Sequence, residues 1–300
     1  MGKGHVFGNM KQEKTNFPPP TTRDPNRPRG HHLPPHLQEK LKLPHIKNII
    51  AVGSGKGGVG KSTVAANLAA ALAEQNLKTG LLDADIYGPS QSRMMGLAGQ
   101  RTVAQDKKLV PLSAHGIKII SMGMLAEDDA PMIWRGPMVQ TAFLQMFHDV
   151  HWGEVDVLIV DLPPGTGDVQ LSLAQKIDLT GAIIVTTPQD VALIDARKAA
   201  NMFAKMNAPI LGLIENMSHY CCPNCGHRDD IFHSGGGEKM AAELGLNFLG
   251  AIPLERQICE ASEAGKPHRL AAPESAAAKV FTGIAGDIAQ KILAARVEPH

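Results

Sequence analysis

The sequence predicts an α/β fold in which a doubly wound, mostly parallel sheet forms one domain behind a disordered N-terminal tail. Three observations support this: from residue 45 onward apolar runs alternate with helical patterns, the runs are continuous, and a glycine-rich turn joins the first run to the first helix. Continuous apolar runs are typical of strands that are buried on both faces of a parallel sheet. The predicted strands are Ile46–Val52, Lys78–Asp83, Ile117–Met122, Val155–Asp161, Gly181–Thr186, Ile210–Glu215 and Asn247–Ile252.

Helical patterns separate these strands, as the right-handed crossovers of a parallel sheet require. An alanine- and leucine-rich helix should follow the glycine-rich turn, and a C-terminal helix should bury one apolar stripe in the core. The predicted helices are Lys61 to about Gln75, Met138–Phe147, Val191–Met206 and about Ser275 to Ala295, the last with a stripe of Val280, Phe281, Ile284, Ile288 and Ile292.

Residues 1–44 differ in composition from the rest of the chain, since they are rich in Pro, Arg and His. Such a segment has too little apolar surface to form a core, so residues 1–44 are predicted to be a disordered tail and residues 45–300 the folded domain. The formal net charge is +1, and no apolar run reaches the length of a membrane span. These features predict a cytoplasmic protein that has neither a nucleic acid nor a membrane as its partner.

The most informative segment is the glycine-rich turn, which reads GSGKGGVGKST and stands between the first predicted strand and the first helix. Its part from Gly55 to Ser62 matches the phosphate-binding pattern G-x-x-x-x-G-K-[ST], so the domain is predicted to be a P-loop NTPase that binds ATP. Lys61 should reach the β- and γ-phosphates, and Ser62 should place its hydroxyl on Mg²⁺. The predicted ATP-binding residues of the loop are Gly53, Ser54, Gly55, Lys56, Gly57, Gly58, Val59, Gly60, Lys61, Ser62 and Thr63.

Two carboxylate-bearing segments follow predicted strands, namely DADIYGPS at 83–90 and DLPPGTGD at 161–168. Hydrolysis of a nucleotide needs one acidic group that holds the metal and a polar group that orients the attacking water. Asp161 is the predicted magnesium-holding aspartate, and Asp85 is the predicted water-positioning residue. Asp83 is predicted only to cap or solvate a strand end.

Three of the four cysteines lie within five residues, which favours metal or redox chemistry over a disulfide framework. Cys222 and Cys225 flank a short turn and can supply two thiolates, whereas a cluster or a tetrahedral zinc normally takes four ligands. A two-fold dimer that contributes one pair from each subunit would complete such a site. Zinc completed within one chain by His219, His227 or His233 is an alternative, as are free or oxidised thiols. Cys221 is interpreted as a neighbour of the pair, and Cys259 as a small core residue.

Several motifs together resemble those of the Mrp/ApbC-type iron–sulfur cluster carrier ATPases. They are KGGVGKST, DADIYGPS, IWRGPM at 133–138, DLPPGTGD, ENMS at 215–218 and the Cys222-Pro-Asn-Cys225 pair. These ATPases belong to the deviant Walker A class, which also contains the MinD and ParA positioning ATPases and the nitrogenase iron protein. The resemblance covers about residues 45–295.

The resemblance implies an ATPase with ATP and Mg²⁺ that binds a 4Fe–4S cluster across a homodimer and transfers it to apo iron–sulfur proteins. It implies that Lys56, the second lysine of the loop, acts on the partner's nucleotide, and that Asn216 contacts the adenine base. Cys222 and Cys225 would hold the shared cluster. Trp134 and Arg135 match a motif of the family without an assigned mechanism.

The alternative is a MinD- or ParA-like positioning ATPase with a structural zinc site. It would need a basic amphipathic C-terminal helix or a DNA-binding face. The predicted C-terminal helix has only Lys279 and Lys291 as cations, so core packing explains its apolar stripe better. The carrier hypothesis is therefore favoured, because it also gives the cysteine pair a role.

Overall fold

A computed structural model describes residues 41–124 and 136–294 of the chain. Its strands are β1 Ile49–Ser54, β2 Thr79–Asp83, β3 Val103–Gln105, β4 Lys108–Val110, β5 Leu112–Ala114, β6 Ile117–Ser121, β7 Val157–Asp161, β8 Gly181–Thr186, β9 Ile210–Asn216, β10 Tyr220–Cys221, β11 Arg228–Asp229 and β12 Phe248–Ile252. Its helices are α1 Lys61–Ala73, α2 Gln91–Met94, α3 Gly136–His148, α4 Asp168–Lys176, α5 Asp190–Lys205, α6 Gly236–Leu244, α7 Arg256–Glu263, α8 His268–Ala271 and α9 Ala276–Ala294, with a 3₁₀ turn at Met122–Met124.

The main sheet has eight strands in the order β12-β9-β8-β1-β7-β2-β6-β5. All its neighbouring pairs are parallel except β5 with β6, which pair antiparallel at one edge. Two small antiparallel hairpins, β3–β4 and β10–β11, lie outside this sheet. The predicted doubly wound α/β fold is therefore confirmed.

The main sheet separates two apolar layers, because successive residues of each strand point to opposite faces. In β1, Ile49 and Ala51 pack into the layer that contains Phe143 and Phe203, whereas Ile50 and Val52 pack into the layer of α1 and α9. The predicted stripe of α9 is confirmed as core at four of its positions, with Val280 only partly buried; the four are Phe281, Ile284, Ile288 and Ile292.

All seven predicted strands occur, with boundaries shifted by up to three residues. The largest shift is at the start of β1, since Ile46 makes only an isolated bridge to Val155.

The prediction that the tail extends to residue 44 is wrong at its end: Leu41 is buried, and its backbone N–H bonds to the carbonyl of Lys176. The prediction for residues 1–40 concerns a segment outside the described residues. Among the described helices, none is long and apolar enough to cross a membrane.

Candidate functional site

The sheet brings the predicted site residues together because parallel strands end on the same edge. Asp161, the last residue of β7, is paired in register with Val52 of β1 on one side and with Asp83 of β2 on the other. The P-loop follows β1 directly, so it leaves the sheet between the strands that carry the other motifs. This is the edge where ligands bind in open α/β sheets.

The P-loop runs from the end of β1 to the start of α1, and its glycines have distinct roles. Gly60 caps α1 in the left-handed region at φ 80°, and Gly58 has φ 81°. Gly55 has a different constraint: a Cβ there would lie 2.1 Å from the backbone carbon of Asp195 in α5. Glycine is thus required at Gly55 by close approach of a helix, not by its own dihedral angles.

Lys61 and Asp161 form a buried ion pair where the P-loop ends and α1 begins. The Lys61 side chain is 7% exposed, the Asp161 side chain is fully buried, and Lys61 Nζ also lies 3.2 Å from Ser62 Oγ. The structure therefore brings together the predicted phosphate-binding ammonium, the predicted magnesium-binding hydroxyl and the predicted magnesium-holding carboxylate. Their roles toward ATP and Mg²⁺ remain predictions.

Gln91 is a residue of this site that the sequence did not reveal. It is fully buried at the start of α2, and its Nε2 donates to the carbonyl of Ser62 at 2.9 Å and to Asp161 Oδ2 at 2.8 Å. Both neighbours are acceptors, so the orientation of the amide follows from its partners. No sequence signal singles out this glutamine, because a polar residue after a Pro-Ser turn is ordinary on a surface.

The expectation that Asp83 only caps or solvates the end of a strand is wrong. It is fully buried, and burial together with the nearby charge of Asp161 raises the pKa of its carboxyl to about 7. Its oxygens hold the following loop in place. They accept hydrogen bonds from the backbone N–H groups of Asp85 (3.2 Å), Ser90 (3.0 Å) and Gln91 (3.0 Å) and from Ser121 Oγ (2.9 Å).

Asp85, the predicted water-positioning residue, lies half-buried on a cleft of about 470 Å³. Its Oδ1 accepts from the backbone N–H groups of Tyr87 at 3.3 Å and Gly88 at 3.2 Å, so the carboxylate organises its own turn. The 161–168 loop lines the same cleft with Pro163, Pro164 and Gly167. The two carboxylate-bearing segments that the sequence singled out therefore line one cleft.

Asn216 lies at the end of β9 against the P-loop. Its Nδ2 donates to the carbonyl of Val59 at 2.9 Å, and a Cβ on Gly60 would lie only 2.2 Å from that nitrogen. The predicted contact between Asn216 and adenine remains a prediction. The geometry adds that this side chain already braces the P-loop.

Cys222 and Cys225 lie at the tip of the β10–β11 hairpin. The Cys222 N–H bonds to the carbonyl of His227 at 2.9 Å, and Gly226, at φ 71°, returns its N–H to the carbonyl of Cys222 at 2.8 Å. Backbone N–H groups of Asn224 and Cys225, and then the Cys225 thiol, lower the pKa of Cys222. The turn thus favours a thiolate, the form that binds metals.

The cysteine pair is not completed within the part of the chain that the structure describes. No group of three or more His, Cys, Asp or Glu side chains placed to hold a metal occurs there. His219, His227 and His233 therefore do not complete a zinc site with the pair in this conformation. Within residues 41–124 and 136–294, the pair has the character of a half-site.

Two further expectations concern single residues. Cys221 is exposed beside the pair, and the prediction that Cys259 is a core residue is wrong, because Cys259 is exposed on α7 near Glu263. The interpretation rested on the general tendency of cysteine to be buried, whereas α7 buries only Ala261. Trp134 and Arg135 lie outside the described residues.

Comparison with known proteins identifies the family. The sequence profile of the ParA family described as NUBPL iron-transfer P-loop NTPase matches residues 45–289. The chain belongs to this family. Relatives of the family are named as carriers and transfer proteins for iron–sulfur clusters, and its P-loop is that of a nucleotide-binding ATPase.

Curated relatives resemble the chain over most of its length. The iron-sulfur cluster carrier protein of Pseudomonas fragi is 52% identical over 245 residues, which cover 81% of this chain and 85% of that protein. A mitochondrial iron-sulfur protein required for NADH dehydrogenase in Arabidopsis thaliana is 49% identical over 261 residues, or 87% and 83% of the two chains.

Solved structures share the fold. The nucleotide-binding protein of Archaeoglobus fulgidus in complex with ADP is 36% identical, with a TM-score of 0.69 and coverage of 80% of this chain and 93% of that chain. The cell division ATPase MinD of Pyrococcus furiosus is 22% identical, with a TM-score of 0.61 and coverage of 81% and 99%. At that identity the likeness to MinD concerns the fold alone.

Substitution of Gly55 tests the close approach of α5 to the P-loop. Gly55→Ala should weaken ATP binding by about tenfold or more, because relieving the clash with the α5 backbone costs roughly 1–3 kcal/mol. Gly57→Ala is the matched control, since its Cβ would meet only Pro164 Cγ at 4.0 Å. Fluorescence titration with a labelled ATP measures both, and equal affinities of the two variants would contradict the steric account.

The buried carboxyl of Asp83 predicts a pH dependence of stability. Its folded pKa of about 7 lies above the ordinary 3.8, so between these values the folded state keeps a proton that the unfolded state has released. This contribution to the free energy of unfolding is therefore lost as the pH rises toward 7. Relative to Asp83→Asn, the wild type should lose roughly 1 kcal/mol per pH unit within that window.

Urea unfolding of both proteins at several pH values measures the difference. Asp287→Asn, on the exposed surface of α9, serves as the control and should run parallel to the wild type. If the free energy of unfolding of Asp83→Asn changed with pH just as that of the wild type does, the raised pKa of Asp83 would be contradicted.

Proposed function

We propose that this protein is an ATP-hydrolysing carrier that binds a 4Fe–4S cluster across a homodimer and transfers it to apo iron–sulfur proteins. The observation that carries the proposal is the Cys222–Cys225 hairpin tip, which offers two thiols and no completing ligand among the described residues. A second copy of the same hairpin supplies the two thiolates that a four-ligand cluster needs. The names of the relatives support this cargo.

The ATPase part of the proposal rests on the P-loop and the residues around it. Its backbone N–H groups and the N-terminus of α1 bind the phosphates, and Lys61 exchanges its contact with Asp161 for the β- and γ-phosphates. Asp85 orients the attacking water from its side of the cleft.

The oxygen groups beside Lys61 fit Mg²⁺, which prefers hard oxygen donors and retains bound water. Ser62 Oγ and the Asp161 carboxylate would hold the ion, and Gln91 Oε1 is a buried acceptor with no hydrogen-bond partner among the described residues. When bound, the ion would neutralise phosphate charge. Gln91 itself keeps the Asp161 carboxylate in position through Nε2.

Lys56 completes the proposal for the dimer. Its side chain is half-buried at the front of the P-loop, and no ion pair of its ammonium occurs among the residues described. A lysine acting on the partner's nucleotide would neutralise transition-state charge as an arginine finger does. Lys56 and the cysteine pair are thus both half-sites that a two-fold dimer completes.

The nucleotide would act on the cluster through loops 85–90 and 161–168, which line one cleft. Because both loops line the cleft beside Asp85, occupation of the γ-phosphate position and its release would change their separation. Such a change at the dimer interface would gate loading or release of the cluster.

The cytoplasmic location remains a prediction. The relatives include bacterial carrier proteins and one protein that is named as mitochondrial.

A positioning ATPase is the less favoured function, because the apolar stripe of α9 packs in the core and is therefore not available to bind a membrane.

Anaerobic reconstitution with iron and sulfide tests the cargo. We expect about four iron and four sulfide per dimer, as a 4Fe–4S cluster held by two cysteine pairs requires. Cys222→Ala and Cys225→Ala should each abolish binding, whereas Cys259→Ala, an exposed cysteine on α7, is the matched control and should retain it. Tightly bound zinc without sulfide would reject the carrier function.

A further inference from the structure

The last two residues of β9 hold two different parts of the molecule. Neighbouring residues of a strand point to opposite faces, and here Leu213 and Ile214 pack into the two opposite apolar layers. Asn216 continues on the α1 side, where its Nδ2 bonds to the P-loop carbonyl of Val59 at 2.9 Å. Glu215 continues on the other side, toward α6.

The segment that carries the cysteines, residues 217–235, leaves β9 beside one of these residues and returns to the other. We call it the cysteine excursion. At its return, the Glu215 carboxylate accepts the backbone N–H of Gly235 at 3.0 Å and of Gly237 at 2.6 Å. A Cβ on Gly237 would lie 3.0 Å from Glu215 Cβ, so the return is packed directly on this side chain. Both ends of the excursion are therefore fixed at one point of the sheet.

Glu215 caps the start of α6, but a buried carboxylate is an unusual residue for that role alone. The residue is 1% exposed, and burial of a carboxylate is costly unless hydrogen bonds compensate. The two charge-assisted bonds to Gly235 and Gly237 provide that compensation, and they are stronger than bonds between neutral groups. The carboxylate thus ties the excursion tightly to β9 at the residue adjacent to the P-loop contact.

We propose that Glu215 is the positioning residue that makes the cysteine pair follow the state of the P-loop. A shift of the P-loop moves Asn216 through its bond to Val59, and the adjacent peptide carries the shift to Glu215 and the excursion. The link is a contiguous set of hydrogen bonds on a rigid strand, which is the kind of element that can transmit a displacement. The inference rests on the proposed function only in taking the cysteine pair as the working half-site.

Alkylation of the thiols in the full-length, reduced protein tests this link without any cluster. Iodoacetamide labelling is followed by mass spectrometry at Cys222 and Cys225, with and without saturating Mg-ADP, and Cys259 is the internal reference. In the wild type, nucleotide should change the labelling rate of the pair by about twofold or more relative to Cys259. Size-exclusion chromatography under the same conditions confirms that the oligomeric state has not changed.

The variants separate a positioning role from a structural one. Glu215→Gln keeps one acceptor, so it should reduce the nucleotide response, and Glu215→Leu should abolish it while ADP still binds. Ser234→Ala is the matched control: it removes the bond from Arg228 Nη2 to Ser234 Oγ inside the excursion but leaves the anchor intact, so the response should persist.

A wild type without any nucleotide response, or a Glu215→Leu protein with a full one, would overturn the proposal. If Glu215→Leu does not fold, Glu215→Gln provides the test. An undiminished effect of Mg-ADP on the labelling rate in Glu215→Gln would equally overturn the proposal. The outcome is independent of iron: a protein that responds but binds no cluster would reject the carrier function and leave the positioning role of Glu215 standing.

Discussion

The buried pairing of Lys61 with Asp161 is the interaction on which the rest of the site depends. It joins the foot of the P-loop to the end of β7, and Asp83 lies next to it in register on β2. Two carboxylates and one ammonium in a buried space leave one negative charge uncompensated. Two features of Asp83 answer this charge: its pKa is raised to about 7, and its oxygens accept hydrogen bonds from backbone N–H groups of its own loop. The same residues that balance the charge thereby fix the loop that carries Asp85.

The parallel sheet could be predicted because its strands are buried on both faces and so read as continuous apolar runs, of which Val157–Asp161 is typical. The P-loop could be predicted because its chemistry requires fixed residue types at fixed spacing. The short edge strand β5 and the β10–β11 hairpin could not, since two or three residues show no periodicity. The sequence also could not predict the roles of Gln91, Asp83 and Gly55. Each role depends on a neighbouring group that only the fold brings close.

The cysteine pair shows how a small element gains its function from its place in the fold. The hairpin itself is short and exposed. The segment that carries it starts after Asn216, which bonds to Val59 of the P-loop, and ends at Gly235, which bonds to Glu215. The sheet thus connects the nucleotide loop and the thiols through one strand. The chain shares its fold with MinD of Pyrococcus furiosus, and the proposed carrier function rests on the cysteine pair of this excursion.

We propose that the partner subunit completes the nucleotide site, and subunit mixing tests this most directly. Lys56→Ala lacks the trans lysine, whereas Lys61→Gln lacks the lysine of its own P-loop but still offers Lys56. Each variant alone should bind its partner yet hydrolyse ATP poorly. An equimolar mixture should recover about a quarter of wild-type turnover, because roughly half of the dimers are mixed and each of these has one complete site. A mixture no more active than the separate variants, or a fully active Lys56→Ala protein, would contradict the account.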